Sequence, residues 1–114
     1  MFNGIIFDKG KVLKIQKRKK GINLFLKSTI KLSKNNLGTS ISCDGVCLTL
    51  ISCGKNTIEF YLSNETLNKS KFKHIKIGDQ INLEPPIKLG QNISGHICQG
   101  HVDTVGKVIK IKKI

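Results

Sequence analysis

Apolar and β-branched residues recur along the chain in short runs, each ended by Gly, Asn or Asp. They cover residues 5–6, 11–15, 22–26, 39–43, 46–52, 57–62 and 80–83. Alternation over such short windows is the mark of half-buried strands rather than of a helical face. A series of them with regular turn punctuation predicts an all-β barrel or sandwich. One short helix is predicted over residues 65–68, with Asn64 as its N-cap and Glu65 at the positive end of its dipole. Lys17-Arg18-Lys19-Lys20-Gly21 reads as a charged hairpin loop, and Lys76-Ile77-Gly78-Asp79 as the tight turn into the last strand.

The strongest local signal is Cys43-Asp44-Gly45-Val46. An Asp-Gly pair between two strands favours a two-residue type I′ turn, because both central residues need positive φ. That turn fixes the cross-strand pairs: Cys43 with Val46, Ser42 with Cys47, Ile41 with Leu48, Ser40 with Thr49. One face of the hairpin then carries Ile41, Cys43, Val46, Leu48 and Leu50, a core face. The other carries Ser40, Ser42, Cys47 and Thr49. A solvated outer face in so lysine-rich a chain should bear Lys, Glu or Asn. This one bears small hydroxyls and a thiol, which suit either plain solvent exposure or close approach by a flat molecule.

Composition adds a charge question. Lys and Arg total 20 against 7 for Asp and Glu, a net charge of +13 over 114 residues. Such a balance admits nucleic acid as a partner. The only Arg is Arg18, however, and aromatic residues make up 5%. Base reading and phosphate forking favour Arg, and single-strand binding favours stacked aromatics. Lys abounds together with Ile and Asn while Ala is absent, a joint skew that AT-rich codons produce. A solvated lysine surface is the better reading, and a nucleic-acid partner is not expected. No apolar run approaches the roughly 20 residues of a membrane span, and Asp8 interrupts the N-terminal apolar stretch before it could serve as a signal. The cytoplasm is the expected compartment.

The cysteines are Cys43, Cys47, Cys53 and Cys98. In a reducing compartment they read as free thiols rather than disulfides. No C-x-x-C spacing is present, so no metal site is expected. In His96-Ile97-Cys98-Gln99-Gly100-His101, an extended strand would put His96 and Cys98 on one face and His101 on the other.

The two ends of the chain resemble each other at an offset of 96 positions. Gly4 meets Gly100, Gly10-Lys11-Val12 meets Gly106-Lys107-Val108, Lys14-Ile15 meets Lys110-Ile111, and Lys17 meets Lys113. This is the pattern of a repeated unit whose second copy has only begun. Residues 1–93 are therefore expected to form a complete module, and residues 94–114 the end of a linker and the first strand of a second. Pro85-Pro86 would stop the last strand of the first. A natural protein about twice this length is the expectation.

Five motifs in order carry a family resemblance: Met1-Phe2-Asn3-Gly4-Ile5-Ile6, Ser40 through Thr49, Ser63-Asn64-Glu65-Thr66-Leu67, Asp79 through Glu84, and Gly95-His96-Ile97-Cys98-Gln99-Gly100-His101-Val102-Asp103. Together they resemble the lumazine-binding module of riboflavin synthase of the α-chain type. The resemblance implies a six-stranded Greek-key β-barrel with one or two short helices, and a homotrimer when the chain carries two barrels. A lone module with one exposed flank would instead form a homodimer. It implies dismutation of two 6,7-dimethyl-8-ribityllumazine molecules to riboflavin and 5-amino-6-ribitylaminouracil, without metal or organic cofactor. The alternative is a non-catalytic binder of lumazine or flavin.

Carried over by position, the resemblance implies that Phe2 packs near the ring system and that Gly4, Ile5 and Ile6 lie along its edge. Ser40, Cys47, Leu48 and Thr49 would line the pocket, Leu48 through its main chain because its side chain belongs to the core face. Tyr61, Leu62, Ser63, Asn64, Glu65 and Thr66 would hold the ring and the ribityl chain, and Gly100, His101 and Val102 would begin the second barrel's site. Cys47 and His101 are the candidate catalytic groups: one base for the acidic C7 methyl of one lumazine, one group assisting addition at C7 of the other. Stacking two rings in a reactive orientation could supply much of the acceleration by itself.

Overall fold

In the computed structural model, which describes residues 1–114, six strands close a barrel. They are β1 (Asp8–Arg18), β2 (Gly21–Ser28), β3 (Ser40–Cys43), β4 (Val46–Gly54), β5 (Thr57–Ser63) and β6 (Gln80–Glu84). Helix α1 (Asn64–Lys69) follows β5, and two 3-10 turns occupy Lys34–Asn36 and Lys71–His74. Around the barrel the order is β1-β2-β5-β4-β3-β6, with every pair antiparallel. Strands β3, β4 and β5 form a meander and β2 lies beside β5, which is the Greek-key connection. Closure leaves no sheet edge to template aggregation.

The hairpin predicted from Asp44-Gly45 is present with the predicted register, Ser40 opposite Thr49 through Cys43 opposite Val46. Both turn residues have positive φ, +49° at Asp44 and +84° at Gly45. The Asp44 carboxylate accepts the Asn82 backbone N–H at 2.7 Å and takes the Lys71 ammonium at 2.6 Å, so this turn is tied to β6 and to the second 3-10 turn.

Three details differ from the sequence reading. Residues 5–6 are not a strand. Pairing of β1 with β6 begins at Asp8 opposite Leu83, and beyond Glu84 the partner would be Pro85, which has no N–H to donate. The cap of α1 is Ser63 rather than Asn64: its hydroxyl accepts the Thr66 N–H at 3.2 Å, while Asn64 is already helical and gives its N–H to Lys20 O at 2.9 Å. Two strands also contain bulges. The register slips between Val12 and Lys14 in β1 and between Leu50 and Ser52 in β4. A one-residue insertion reverses the inward face, which is why Lys14 and Ser52 follow Leu13 and Ile51 into solvent, two exposed residues in succession after buried Val12 and Leu50.

Inward positions of all six strands form one core, with Leu24, Leu26, Ile41, Leu50, Phe60, Leu62, Ile81 and Leu83 among its most buried members and Phe72 reaching in from the 3-10 turn. Each such side chain contributes about 1.5–3 kcal/mol by leaving water. The hairpin loop before β2 is drawn in tightly. Lys20 O also accepts the Tyr61 hydroxyl at 3.1 Å, and Gly21 pairs with Ser63 of β5. A Cβ at Gly21 would sit 2.0 Å from Leu62 O, so only glycine lets β2 and β5 close there.

The two ends of the chain lie together on the outside of the barrel. Phe2 and Cys98 exchange both backbone hydrogen bonds at 2.8 Å, and Ile87 donates to Met1 O at 2.9 Å. Buried Glu84 accepts the N–H groups of Asn3 at 2.7 Å and Gly4 at 3.1 Å. Residues 101–114 have neither strand nor helix, and Val105, Val108, Ile109, Ile111 and Ile114 are exposed.

Two outcomes follow for stability. Gly21→Ala should lower urea-unfolding stability by about 3 kcal/mol, because backbone must move to admit a methyl, whereas Gly54→Ala, which meets nothing within 4 Å, should change it by less than ~0.5 kcal/mol. Glu84→Ala should remove two charge-assisted hydrogen bonds and cost about 2–4 kcal/mol, with the Asn3 and Gly4 amides losing hydrogen-exchange protection before the barrel does.

Candidate functional site

Strand β4 outruns its neighbour. By the β4–β5 register Cys47 would face Ser63, but β5 ends at Ser63 as the chain turns into α1. The Cys47 N–H on that side has no ladder partner and instead donates to Gly100 O at 2.8 Å. Gly100 has φ +82°, and a Cβ there would lie 2.9 Å from the Cys47 Cβ and 3.2 Å from the Phe2 ring. The chain end thereby fits against β4 only because residue 100 is glycine. Val102 packs on the core, anchoring the same segment one step later.

The gap between the start of β4, helix α1 and residues 100–103 is a cleft of about 320 Å³, within the range of small-molecule sites. Val46, Cys47, Glu65, Thr66, Lys69, Ser70, Gly100, His101, Val102 and Asp103 line it. It holds a thiol, an imidazole, two hydroxyls, two carboxylates and an ammonium on a partly apolar floor. Lys69 bonds Glu65 at 2.9 Å, one helical turn apart. This hydrogen bond and the attraction of the ammonium hold the Glu65 carboxyl below its usual range, and the same bond raises the Lys69 ammonium, with Asp103 adding to it. Both groups are charged at neutral pH.

Of the residues singled out from sequence, Cys47, Glu65, Thr66, Gly100, His101 and Val102 line this one cleft. Cys47 and His101 make no hydrogen bond with each other; the cysteine–histidine bond in the chain joins Cys98 to His96. Phe2 and Gly4 belong to an adjoining cleft of about 270 Å³, and Gly4 and Ile6 to a third of about 450 Å³ beside Asp44 and Glu84. Ile5 is exposed. Ser40 and Thr49 face each other on the outer side of the hairpin, away from all three clefts. Leu48 and Leu62 point into the core, and Tyr61 turns its hydroxyl to Lys20 O. Ser63 spends its hydroxyl as the helix cap, and Asn64 spends its N–H on Lys20.

The clefts include residues that were given no ligand contact by the family likeness. Lys69 lies four positions after Glu65, the spacing of a helical ion pair, and was legible in principle. Ser70 caps the next 3-10 turn. Ser42, opposite Cys47 in the hairpin, lines the two adjoining clefts. Asp103 closes the fifth motif but was given no role, since its place in the cleft depends on how residues 100–103 fold back on the barrel.

Comparison with known proteins agrees with this architecture. A family model described as the lumazine binding domain matches residues 3–85. The chain belongs to the lumazine binding domain family. It is 38% identical over 114 residues to a riboflavin synthase of Chlamydia pneumoniae, covering 99% of this chain and 57% of that protein. It is 39% identical over 115 residues to a riboflavin synthase of Buchnera aphidicola, covering all of this chain and 54% of the relative. The chain thus spans about half the length of the curated relatives it matches. Among solved structures, LumP complexed with 6,7-dimethyl-8-(1′-D-ribityl) lumazine superposes with a TM-score of 0.74 at 21% identity, over 91% of this chain and 58% of that one. LumP complexed with flavin mononucleotide gives 0.75 at 22% identity, over 91% and 59%. At that identity the likeness is one of fold. No helix of this lumazine-binding-domain protein is long and apolar enough to cross a membrane. The family match ends at residue 85, so the wall of the main cleft formed by residues 100–103 lies outside it.

Cys43 lies in the core at the turn that leads into the site. Burial, then the charges of Asp44 and Cys47, push the Cys43 thiol well above the ordinary range. The folded chain therefore keeps a proton that the unfolded chain loses above the usual thiol pKa of about 8.5. Stability should be unaffected by this group at lower pH and fall as pH rises beyond that value. Denaturation of Cys43→Val at a series of alkaline pH values should show a shallower decline than the parent.

Proposed function

We propose that this chain is the N-terminal lumazine-binding barrel of a riboflavin synthase, and that the 320 Å³ cleft beside Cys47 receives 6,7-dimethyl-8-ribityllumazine. The convergence of Cys47, Glu65, Thr66 and residues 100–102 on one cleft, in a chain matching the lumazine binding domain, carries the reading. The flat ring would lie against Cys47 and Gly100, where no side chain projects from residue 100. The polyhydroxylated ribityl chain would run toward α1, where the ionised Glu65 carboxylate accepts hydroxyl protons and the Thr66 hydroxyl is a further partner, the Ser70 hydroxyl already donating to Thr66 O at 2.7 Å. Riboflavin, whose ring system is of the same flat kind, would be the product bound there.

In the full reaction a four-carbon unit passes from one lumazine to a second, leaving riboflavin and 5-amino-6-ribitylaminouracil. One proton must leave the C7 methyl of one ring, and C7 of the other must accept a nucleophile. His101 suits the proton transfer. Cys47 suits addition at C7 or the positioning of the ring against it. The second ring has to come from another barrel, which fits relatives about twice this length and a homotrimer of two-barrel chains in the cytoplasm. This chain by itself would associate as a homodimer and bind ligand with little turnover.

Fluorescence titration of the purified chain with ribityllumazine should saturate at one ligand per chain, and Thr66→Ala or Glu65→Gln should weaken binding about tenfold, the value of one hydrogen bond of roughly 1.4 kcal/mol. Absence of any binding would overturn the proposal. In a two-barrel chain, Cys47→Ser and His101→Gln should slow flavin formation more than they weaken binding. Tight binding with no flavin formed by that longer chain would leave a carrier protein in place of an enzyme.

A further inference from the structure

The chain also holds a nucleophile–base pair that the proposed lumazine site does not use. The side chains of His96 and Cys98, two positions apart on an extended segment, meet with Sγ 3.1 Å from Nε2. The segment is fixed in place, because Cys98 exchanges both backbone hydrogen bonds with buried Phe2. The two side chains stand over Gly4: its Cβ position would be 3.8 Å from both the Cys98 Sγ and the His96 Cε1, so nothing projects from residue 4 to cover them. Cys98 is half-buried and His96 exposed. The thiol opens onto the cleft of about 270 Å³ whose other walls include Ser42, Gly45 and Glu84 and which adjoins the proposed lumazine cleft through Gly100, His101 and Val102. The other cysteines lack this arrangement. Cys43 is fully buried with its thiol directed at Ile41 O, and neither Cys47 nor Cys53 is hydrogen-bonded to a histidine.

We propose that Cys98, with His96 as its base, is a thiol–disulfide exchange site for small disulfides. The Cys98 S–H proton passes to His96 Nε2, and the thiolate attacks one sulfur of the incoming disulfide. The S–S bond of that disulfide breaks, a Cys98 mixed disulfide forms, and the departing thiolate takes the proton back from the imidazolium. No external oxidant is needed, since the disulfide is itself reduced to one free thiol. The 270 Å³ cleft is of a size to receive a small adduct rather than a protein chain. The modification is reversed by any thiol in excess.

The test is incubation of the reduced chain with glutathione disulfide, followed by peptide mass spectrometry over time. Cys98 should form the mixed disulfide first, about tenfold faster than Cys53, and His96→Gln should remove that advantage while leaving the Cys53 rate unchanged. Addition of reduced glutathione should restore the free thiol. Equal rates at Cys98 and Cys53, no effect of His96→Gln, or a slowing shared equally by both thiols would overturn the assignment.

Discussion

One unpaired backbone group organises the candidate site. Because β5 bends into α1 after Ser63, the Cys47 amide on the exposed flank of β4 would go without a partner. A buried or half-buried N–H cannot be left so without a cost of about 1–3 kcal/mol. Gly100 supplies the carbonyl, and in doing so brings His101, Val102 and Asp103 opposite Glu65 and Thr66. The cleft is thus a by-product of satisfying one hydrogen bond at a place where the barrel's ladder is cut short. Two glycines make the arrangement sterically possible, Gly21 by letting β2 close on β5 where the cut occurs, Gly100 by letting the chain end reach Cys47.

The rest of the fold keeps this corner rigid. Lys20 O gathers the Tyr61 hydroxyl and the Asn64 amide, so the lysine-rich hairpin loop is held under the start of α1 rather than left free. Ser63 and Ser70 cap the two helical turns in succession. On the other flank, the buried Glu84 carboxylate clamps residues 3 and 4, and the Phe2–Cys98 pair holds the opposite end of the segment that supplies Gly100. The lysine excess is spread over strands and tail and leaves the main cleft with one ammonium, Lys69, already paired with Glu65. A polyol with a flat uncharged ring suits such a place better than a phosphate chain does.

Much of this was legible in the residues because some signals are local. The Asp44-Gly45 turn dictates its own conformation, and a two-residue turn dictates the register of everything paired beyond it, so the faces of the β3–β4 hairpin could be written down before the fold was known. The bulges at Leu13 and Ile51 were not legible, since runs of mixed apolar and polar residues give no sign of where the alternation skips a position. Ser63 and Asn64 are equally good caps by type. Which one serves depends on Ser63 still pairing with Gly21, a tertiary fact. The grouping of the site residues was legible only in part. Motif likeness drew Gly4 and Ile6 together with Cys47; in the fold Ile6 lines a cleft on the β6 side of the hairpin, while Gly4 also lines the adjoining cleft with Gly100, His101 and Val102. Only the three-dimensional path of the chain end separates these.

The central claim is that the cleft between Cys47, α1 and Gly100 is the ligand site. Amide chemical shifts recorded while the ribityllumazine is titrated into the isotope-labelled chain test it most directly. The account predicts that the largest changes fall on Cys47, Glu65, Thr66 and residues 100–103. Changes centred instead on Gly4, Ile6 and Asn82, with Cys47 and Gly100 unmoved, would contradict it.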